Sequence, residues 1–505
     1  MQPKTFLLAA ALGLALAGTP PAQAVDAPTV WLDGEQLTFD VQPTIQNDRT
    51  MVPYRAIFEE LGYTVSWNAQ ARSVSAIKDG ASMWMQIGNP NVTVNGKNVV
   101  SDAAPVIQGD RTLVPLRLVS EYSGCDVLWD SATRTVAMYR KQAINAASQK
   151  QGFVTTDGDS LLVMHNDCNT LEFGTQGYSL VDLSPIAFLQ GVFVNGAYNG
   201  IGYGQILRSP MINEDLMATQ YFSMDMVTGE ILAVSEDKQA YWGHAIHIDP
   251  VTGTPYIASG YYNYSGCYNY YAMRPDTLQT EKTFITDYDM NEYFAYDGKL
   301  WIVDETDEYM DQNVNEVSED IYRLRIISLD CESGETSQVF ETSYMESQNA
   351  DCTFYGNELY VALRDEIMKT STILIYNVDT SEMRTILLPD LIDALDVNQN
   401  SIFYLADSEL GSGPYGTYNA LYRISKDGNL RIRLQDRLYQ DPGLIDSFAN
   451  NLKVVGNTIY YYVQDVDSEY STGGTNIVSL CALPTCGGTP YIMEKSIWWR
   501  GATMS

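Results

Sequence analysis

Apolar and polar residues alternate on either side of Asp33-Gly34 and again around Asn95-Gly96, which predicts two tight hairpins whose central residues need positive φ. A helical spacing follows each hairpin. Pro53 and Pro115 suit a first helical turn and Gly62 and Gly124 a left-handed exit, so a helix of about two to three turns is predicted between each pair. Thr64-Val65-Ser66-Trp67 and Asp126-Val127-Leu128-Trp129 then read as strands, each followed by a turn and a second strand holding Val74 or Val136. The order hairpin, helix, hairpin is therefore written twice.

The two copies align at a constant offset of 62 residues, with DRTMVPYRAIFEELG at 48–62 facing DRTLVPLRLVSEYSG at 110–124. Identities fall at Asp48/Asp110, Arg49/Arg111, Thr50/Thr112, Val52/Val114, Pro53/Pro115, Arg55/Arg117, Glu59/Glu121, Gly62/Gly124, Val65/Val127, Trp67/Trp129, Arg72/Arg134 and Val74/Val136, where chance supplies roughly two. One copy has too little surface to bury alone, so the pair is expected to form one small α+β domain over 28–140, with repeats 30–91 and 92–140. Trp67 and Trp129 are expected in or near its core, the competing role being a sugar-stacking platform. Arg55–Glu59 and Arg117–Glu121, four residues apart, are expected to pair along the helices.

Residues 141–151, KQAINAASQKQ, lack an apolar face and read as a linker or a short connecting helix. From 152 to 505 the texture becomes all-β. Turn-then-strand signals recur at Asp297-Gly298, Tyr355-Gly356, Gln399-Asn400 and Val455-Gly456, 44 to 58 residues apart, each followed by a second strand pair around an acidic or glycine turn. Weaker units begin near Phe153, Phe188 and Ala245. Four strands per unit of about 50 residues predicts a β-propeller of about seven blades, with six nearly as good and a pair of β-sandwiches as the competing arrangement.

Two copies of D-R-T-hydrophobic-V-P-x-R, each followed by a Gly-ended helix and a V-x-W strand, resemble the copper amine oxidase N-terminal-like domain, or stalk domain, which is common in exported proteins of Gram-positive bacteria. The resemblance covers about a quarter of the chain. It implies an accessory module and not the oxidase. The catalytic domain of that family holds copper with three histidines and makes a quinone from Asn-Tyr-Asp/Glu. This chain has three histidines in all, the pair His244-Ala245-Ile246-His247 is spaced by two residues instead of one, and Asn269-Tyr270 is followed by Tyr271. No copper, quinone or other cofactor is therefore expected. The later units, such as Leu421-Tyr422-Arg423-Ile424, resemble those of uncharacterised exported bacterial β-propellers.

Charge and ends narrow the setting. Lys4, the apolar run Phe6–Ala17 and Ala22-Gln23-Ala24 have the form of a secretory signal peptide over 1–24. Removing Lys4 leaves 29 Lys+Arg against 63 Asp+Glu, or 29 − 63 = −34, which disfavours nucleic acid and anionic membrane as partners. The Phe6–Ala17 run is too short to span a bilayer and no other stretch nears twenty apolar residues, so no transmembrane segment is expected. Seven cysteines are few and odd in number; Cys481 and Cys486 are near enough to pair across a turn, and no zinc set is completed.

Candidate chemistry is sparse. Tyr261, Tyr262, Tyr264, Tyr268, Tyr270 and Tyr271 form the densest aromatic stretch and suit either blade packing or a binding surface for sugar or protein. His244 and His247, with Asp249, are candidates for ligand contact or acid–base work. Asp304-Glu305-Thr306-Asp307-Glu308 with Asp311 suits a solvated loop or calcium, without EF-hand spacing. The expected protein is secreted or held at the cell surface, non-enzymatic, and binds cell-wall glycan, extracellular carbohydrate or a surface protein through the propeller. The alternative is a carbohydrate-active lyase or hydrolase working in the propeller channel. A histidine beside two acids favours that alternative, and histidines packed between blades oppose it.

Overall fold

The computed structural model describes residues 27–150, 153–167, 172–206, 217–236, 238–240, 246–260, 268–286, 292–308, 321–342, 349–365, 367–413, 416–436, 446–466 and 475–500. The expected signal peptide lies outside them. The chain packs as two compact units. One holds Leu37–Tyr122 and Trp129–Val136, and the other Trp31–Gln36, Ser123–Leu128 and the chain from Ala137.

In the first unit the doubled motif explains itself. Strands Arg49–Pro53 and Arg111–Pro115, equivalent in the two repeats, pair antiparallel with Val52 opposite Val114, so an approximate two-fold axis passes between these valines. Both are fully buried, as are Met51, Leu113, Ile57, Phe58 and Val119. Arg49 of the first repeat forms an ion pair with Asp102 of the second, and Arg111 Nε of the second donates to Asp40 of the first at 2.6 Å. Asp40 and Asp102 are themselves 62 positions apart, so the D-R-T arginines are crossed struts between the copies. The opening hairpins cross as well. Asn91–Val94 and Lys97–Val100 of the second repeat complete a five-stranded sheet with Thr64–Asn68, Ser73–Lys78 and Ala81–Gln86 of the first. In a second sheet, most of whose residues fall in the other unit, Thr29–Leu32 and Glu35–Gln36 of the first repeat join Cys125–Asp130 and Thr135–Arg140 of the second. Each repeat finishes the other's sheet.

Asp33 and Gly34 (φ 51° and 93°) and Asn95 and Gly96 (50° and 76°) form the predicted positive-φ hairpin turns. The helices, α1 (Tyr54–Glu60) and α2 (Leu116–Tyr122), span two turns each, and Gly62 and Gly124 leave them at φ 83° and 72°. Pro53 ends the preceding strand and caps α1 rather than entering its first turn. Arg55 meets Glu59 at 3.2 Å, whereas Arg117 turns to Asp102 at 3.7 Å, a charge near the start of its own repeat that a helix-only reading does not include. Trp67 and Trp129 correct a second expectation. They are 41% and 46% exposed, because Thr64–Asn68 and Cys125–Asp130 are edge strands of their sheets. Both Arg–Asp struts are solvent-exposed, so Asp102→Asn is expected to cost at most about 1 kcal/mol in thermal melting, less at high salt.

Among the described residues the second unit contains seven four-stranded antiparallel sheets in chain order, the second with one extra short strand. Their first, inner strands are Val154–Thr156, Val192–Tyr198, His247–Ile248, Glu292–Tyr296, Asn349–Tyr355, Ile392–Val397 and Asp446–Val455. The turn-then-strand signals at 297, 355, 399 and 455 fall on the hairpin between the first and second strands of blades 4 to 7. Alternation along each strand sends side chains to both neighbouring blades. Leu359 and Val361 pack toward blade 4, with Phe294 and Ile326, while Tyr360 and Ala362 pack toward blade 6, with Ile402 and Tyr404. One apolar cluster fills each junction, including Phe153, Leu161 and Val163 against Tyr460 and Leu480, which closes blade 7 on blade 1. The protein is thus an α+β domain of two repeats followed by a seven-bladed β-propeller. The weak signal near Phe188 is out of phase, since Phe188 lies on the outer strand of blade 1 and blade 2 starts at Val192.

Turns between outer strands are held by Asx geometry: Asp225 Oδ1 accepts from the Val227 and Thr228 amides at 2.9 and 2.7 Å, and Asp330 Oδ1 from Glu332 and Ser333 at 3.0 and 2.8 Å. Cys481 and Cys486 do not pair. Cys481 is buried between blades 6 and 7.

Candidate functional site

Among the described residues a group of buried charges lies where segment 141–150 meets the inner strands of blades 5, 6 and 7. The segment forms no helix. Its polar backbone is used instead: Ala147 bridges Val455, Gly456 N donates to Ala146 O at 2.7 Å, and Gln149 N donates to Phe354 O at 2.7 Å. Gln142 N and O are both bonded to the Asn457 side-chain amide, at 2.8 and 3.1 Å. The segment so crosses the ends of three consecutive inner strands.

Two lysines fasten it. Lys150 Nζ forms an ion pair with Asp351 and donates to Leu395 O at 2.7 Å, with the two side chains only 12% and 17% exposed. Lys453 Nζ, fully buried on the blade 7 inner strand, donates to Ser148 O, Ser148 Oγ and Lys150 O at 2.9, 3.0 and 2.7 Å. Two carboxylates tie the blades together. Asp351 of blade 5 accepts from Leu395 N of blade 6 at 2.8 Å, and Asp396 of blade 6 from Val454 N of blade 7 at 2.7 Å and from Thr353 Oγ1 of blade 5 at 3.0 Å. Each ion is matched by an opposite charge, or by donors for a carboxylate and acceptors for an ammonium, as a buried charge requires.

Burial sets the protonation behaviour of the cluster. It pushes the Glu292 carboxyl, on the blade 4 inner strand, up to about 7, with the Asp351 charge adding to the rise and Lys150 opposing it. Burial also raises Asp351, against the pull of Lys150, and lowers the Lys453 ammonium to about 8, against the pull of Asp396.

The histidines lie elsewhere. His247 is buried, its ring 4.2 Å from that of Tyr293 and 6.0 Å from that of Phe294, so it packs where blade 3 meets blade 4. His165 Nδ1 is bonded to Glu494, whose other oxygen accepts from Tyr178 OH at 3.0 Å, across the junction of blades 1 and 7. His244 lies outside the described residues. Asp249 spends both oxygens on turns, accepting from Val251 and Thr252 in its own blade and from Asp297 and Gly298 in the next.

Of the tyrosine stretch, Tyr261, Tyr262 and Tyr264 lie outside the described residues. Tyr268, Tyr270 and Tyr271 belong to the third strand of blade 3. Tyr270 is fully buried, 5.5 Å from the Tyr293 ring, and Tyr271 is half-buried against the blade 2 junction. Asp304 is buried and accepts from Arg325 Nε at 2.5 Å on the neighbouring strand; Asp311 is outside the described residues, as are the side chains from 305 to 308. Among the described residues no three His, Cys, Asp or Glu side chains come together as a metal site.

Lys150, Asp351, Asp396, Lys453 and Glu292 carry no motif, and the sequence reading passed over them. The usable signal was a charge in the middle of an apolar strand, as in LKVV and ALDV. Such a charge has to find a partner or stay neutral.

Residues 31–138 match the family model of the copper amine oxidase N-terminal domain. No curated protein matches the chain. Among solved structures, the β-propeller domain of the Trilobed protease from Pyrococcus furiosus overlaps at 8% identity and TM-score 0.44, covering 69% of this chain and 98% of that one. The Pyrococcus horikoshii acylaminoacyl peptidase overlaps at 8% identity and TM-score 0.41, covering 69% of this chain and 52% of that one, and the tricorn protease at 9% and 0.38, covering 89% and 51%. The chain spans about half the length of these two peptidases. The blade count rests on sheet order and on the closed series of junction clusters. Among the described residues no helix is long and apolar enough to cross a membrane.

Proposed function

We propose that this is an exported, non-enzymatic binding protein, whose propeller presents a surface to cell-wall glycan, extracellular carbohydrate or a surface protein. The observation that carries the reading is the use of the charged cluster. Asp351, Asp396, Lys150 and Lys453, the groups best suited to acid–base work on the inner strands, are bonded to the chain's own backbone and hold segment 146–150 across the strand ends. His247, packed between blades, supports it too. Recognition then falls to the outer surfaces. The signal-like leader and the kinship of residues 31–138 support export.

One observation favours the enzymatic alternative. Glu292 titrates near neutrality beside the Asp351 charge, a pairing that suits a general acid and base. A single experiment separates the readings: incubate the mature chain with insoluble wall polymers and with soluble glycans, and measure both retention and new reducing ends or unsaturated products. Retention without turnover is expected. Turnover that Glu292→Gln abolishes contradicts the binding reading, and the absence of retention on every polymer removes glycan as its ligand.

A further inference from the structure

We infer that the outer face of the five-stranded sheet in the first unit binds a neutral polysaccharide chain, with Trp84 as its stacking platform. The inference goes beyond the propeller surface of the binding reading: it adds a second place, with its own ligand class, in the N-terminal domain. Register across the sheet aligns Ser66, Ser75, Trp84, Thr93 and Asn98 in one row over all five strands. Trp84 is 38% exposed, while its neighbours Met83 and Met85 point the other way and are buried, so the indole belongs to the solvent side by strand alternation. On one side of it Ser66 Oγ and Ser75 Oγ are 2.7 Å apart, and on the other Thr93 Oγ1 donates to Asn98 Oδ1 at 3.2 Å. The groups flanking the indole are thus ordered before any ligand arrives.

Charge defines the ligand. By the same alternation, every side chain that these five strands send to this face is uncharged, and Lys78 and Lys97 point to the other. A charge-free face of this size is unusual on a chain with 63 acids and a net charge of −33. It offers no cation to hold a phosphate or carboxylate. Polyanions are also repelled by the chain as a whole. A neutral sugar chain matches what is present: the C–H face of a pyranose ring stacks on an indole, and its hydroxyls exchange hydrogen bonds with Ser, Thr and Asn side chains that act as donor and acceptor. Ile77 and Val100, 58% and 74% exposed, also reach this face, in the rows on either side of the indole's; the hydroxyls and amides of the indole's own row favour a sugar over the apolar core that a protein contact needs.

The test is calorimetric titration of the mature full-length chain with cellohexaose and chitohexaose as neutral probes and polygalacturonate as the anionic one. Binding of a neutral probe is expected, with at least a tenfold loss of affinity in Trp84→Ala and no change in Trp67→Ala. Ser82→Asp, a charge placed beside the indole on the same face, is expected to weaken binding as well, and it keeps the test open should Trp84→Ala fold poorly. Neutral binding that survives both Trp84→Ala and Ser82→Asp overturns the site and leaves the binding reading standing. Failure to bind either neutral probe, or a preference for polygalacturonate, overturns the ligand class, while retention on wall polymers reports separately on the broader reading.

Discussion

Asp351→Ala is expected to lower the stability of the propeller by about 3–5 kcal/mol, because it leaves the Lys150 ammonium buried without its counter-charge. The Leu395 amide loses its acceptor in the same change. Asp351 is a strut between blades 5 and 6 and at once the anchor of segment 146–150, so loss of the carboxylate is felt in the ring and in the segment. Guanidinium unfolding of the mature chain, followed by a probe of the propeller, checks it. The double variant Asp351→Ala/Lys150→Met is expected to recover a large part of the loss, because the uncompensated charge is gone. If Asp351→Ala costs less than about 1 kcal/mol, the pair behaves as an exposed one and the segment is not buried as described.

Glu292→Gln is expected to stabilise the protein, and only at the higher pH values. In the fold Glu292 titrates at about 7 instead of 4.5, chiefly through burial and then through the Asp351 charge. A carboxyl with a raised value holds its proton more tightly when folded, so its contribution is complete below about pH 4.5 and is lost as pH rises toward 7. The rise from 4.5 to about 7 corresponds to about 3 kcal/mol. Glutamine stays neutral throughout. The variant should therefore match the wild type near pH 4 and exceed it by about 3 kcal/mol at pH 8, read as the difference between two melting series. A gain that does not depend on pH assigns the effect to packing.

How far the sequence carried depends on how local each feature is. The hairpins at Asp33-Gly34 and Asn95-Gly96, the Gly62 and Gly124 exits and the second strands of blades 4 to 7 were legible, because turn chemistry and strand alternation are written within a few residues. The crossed Arg49–Asp102 and Arg111–Asp40 pairs were not, since they depend on how one repeat completes the other. Trp67 and Trp129 were misplaced for a related reason: alternation names a face, and only the order of strands in the sheet shows that theirs is an edge. Segment 141–151 read as a linker or a short connecting helix because it has no apolar face. Its contacts are polar, made by its backbone and by Lys150, to strands two to three hundred residues away. The charged cluster was legible only as single charges inside apolar runs such as LKVV and ALDV; which charge meets which is set when the ring brings them together.

Amide hydrogen exchange over residues 143–150 of the mature chain tests most directly whether this segment is part of the propeller. Bonds from Gln149 N to Phe354 O, from Gly456 N to Ala146 O and from Lys453 to two of the segment's carbonyls predict strong protection at Gln149, approaching that of the inner strand Asn349–Tyr355, and its loss in Asp351→Ala. Exchange at the rate of open chain in the wild type would contradict it, and would return the inner ends of blades 5 to 7 to the search for an active site.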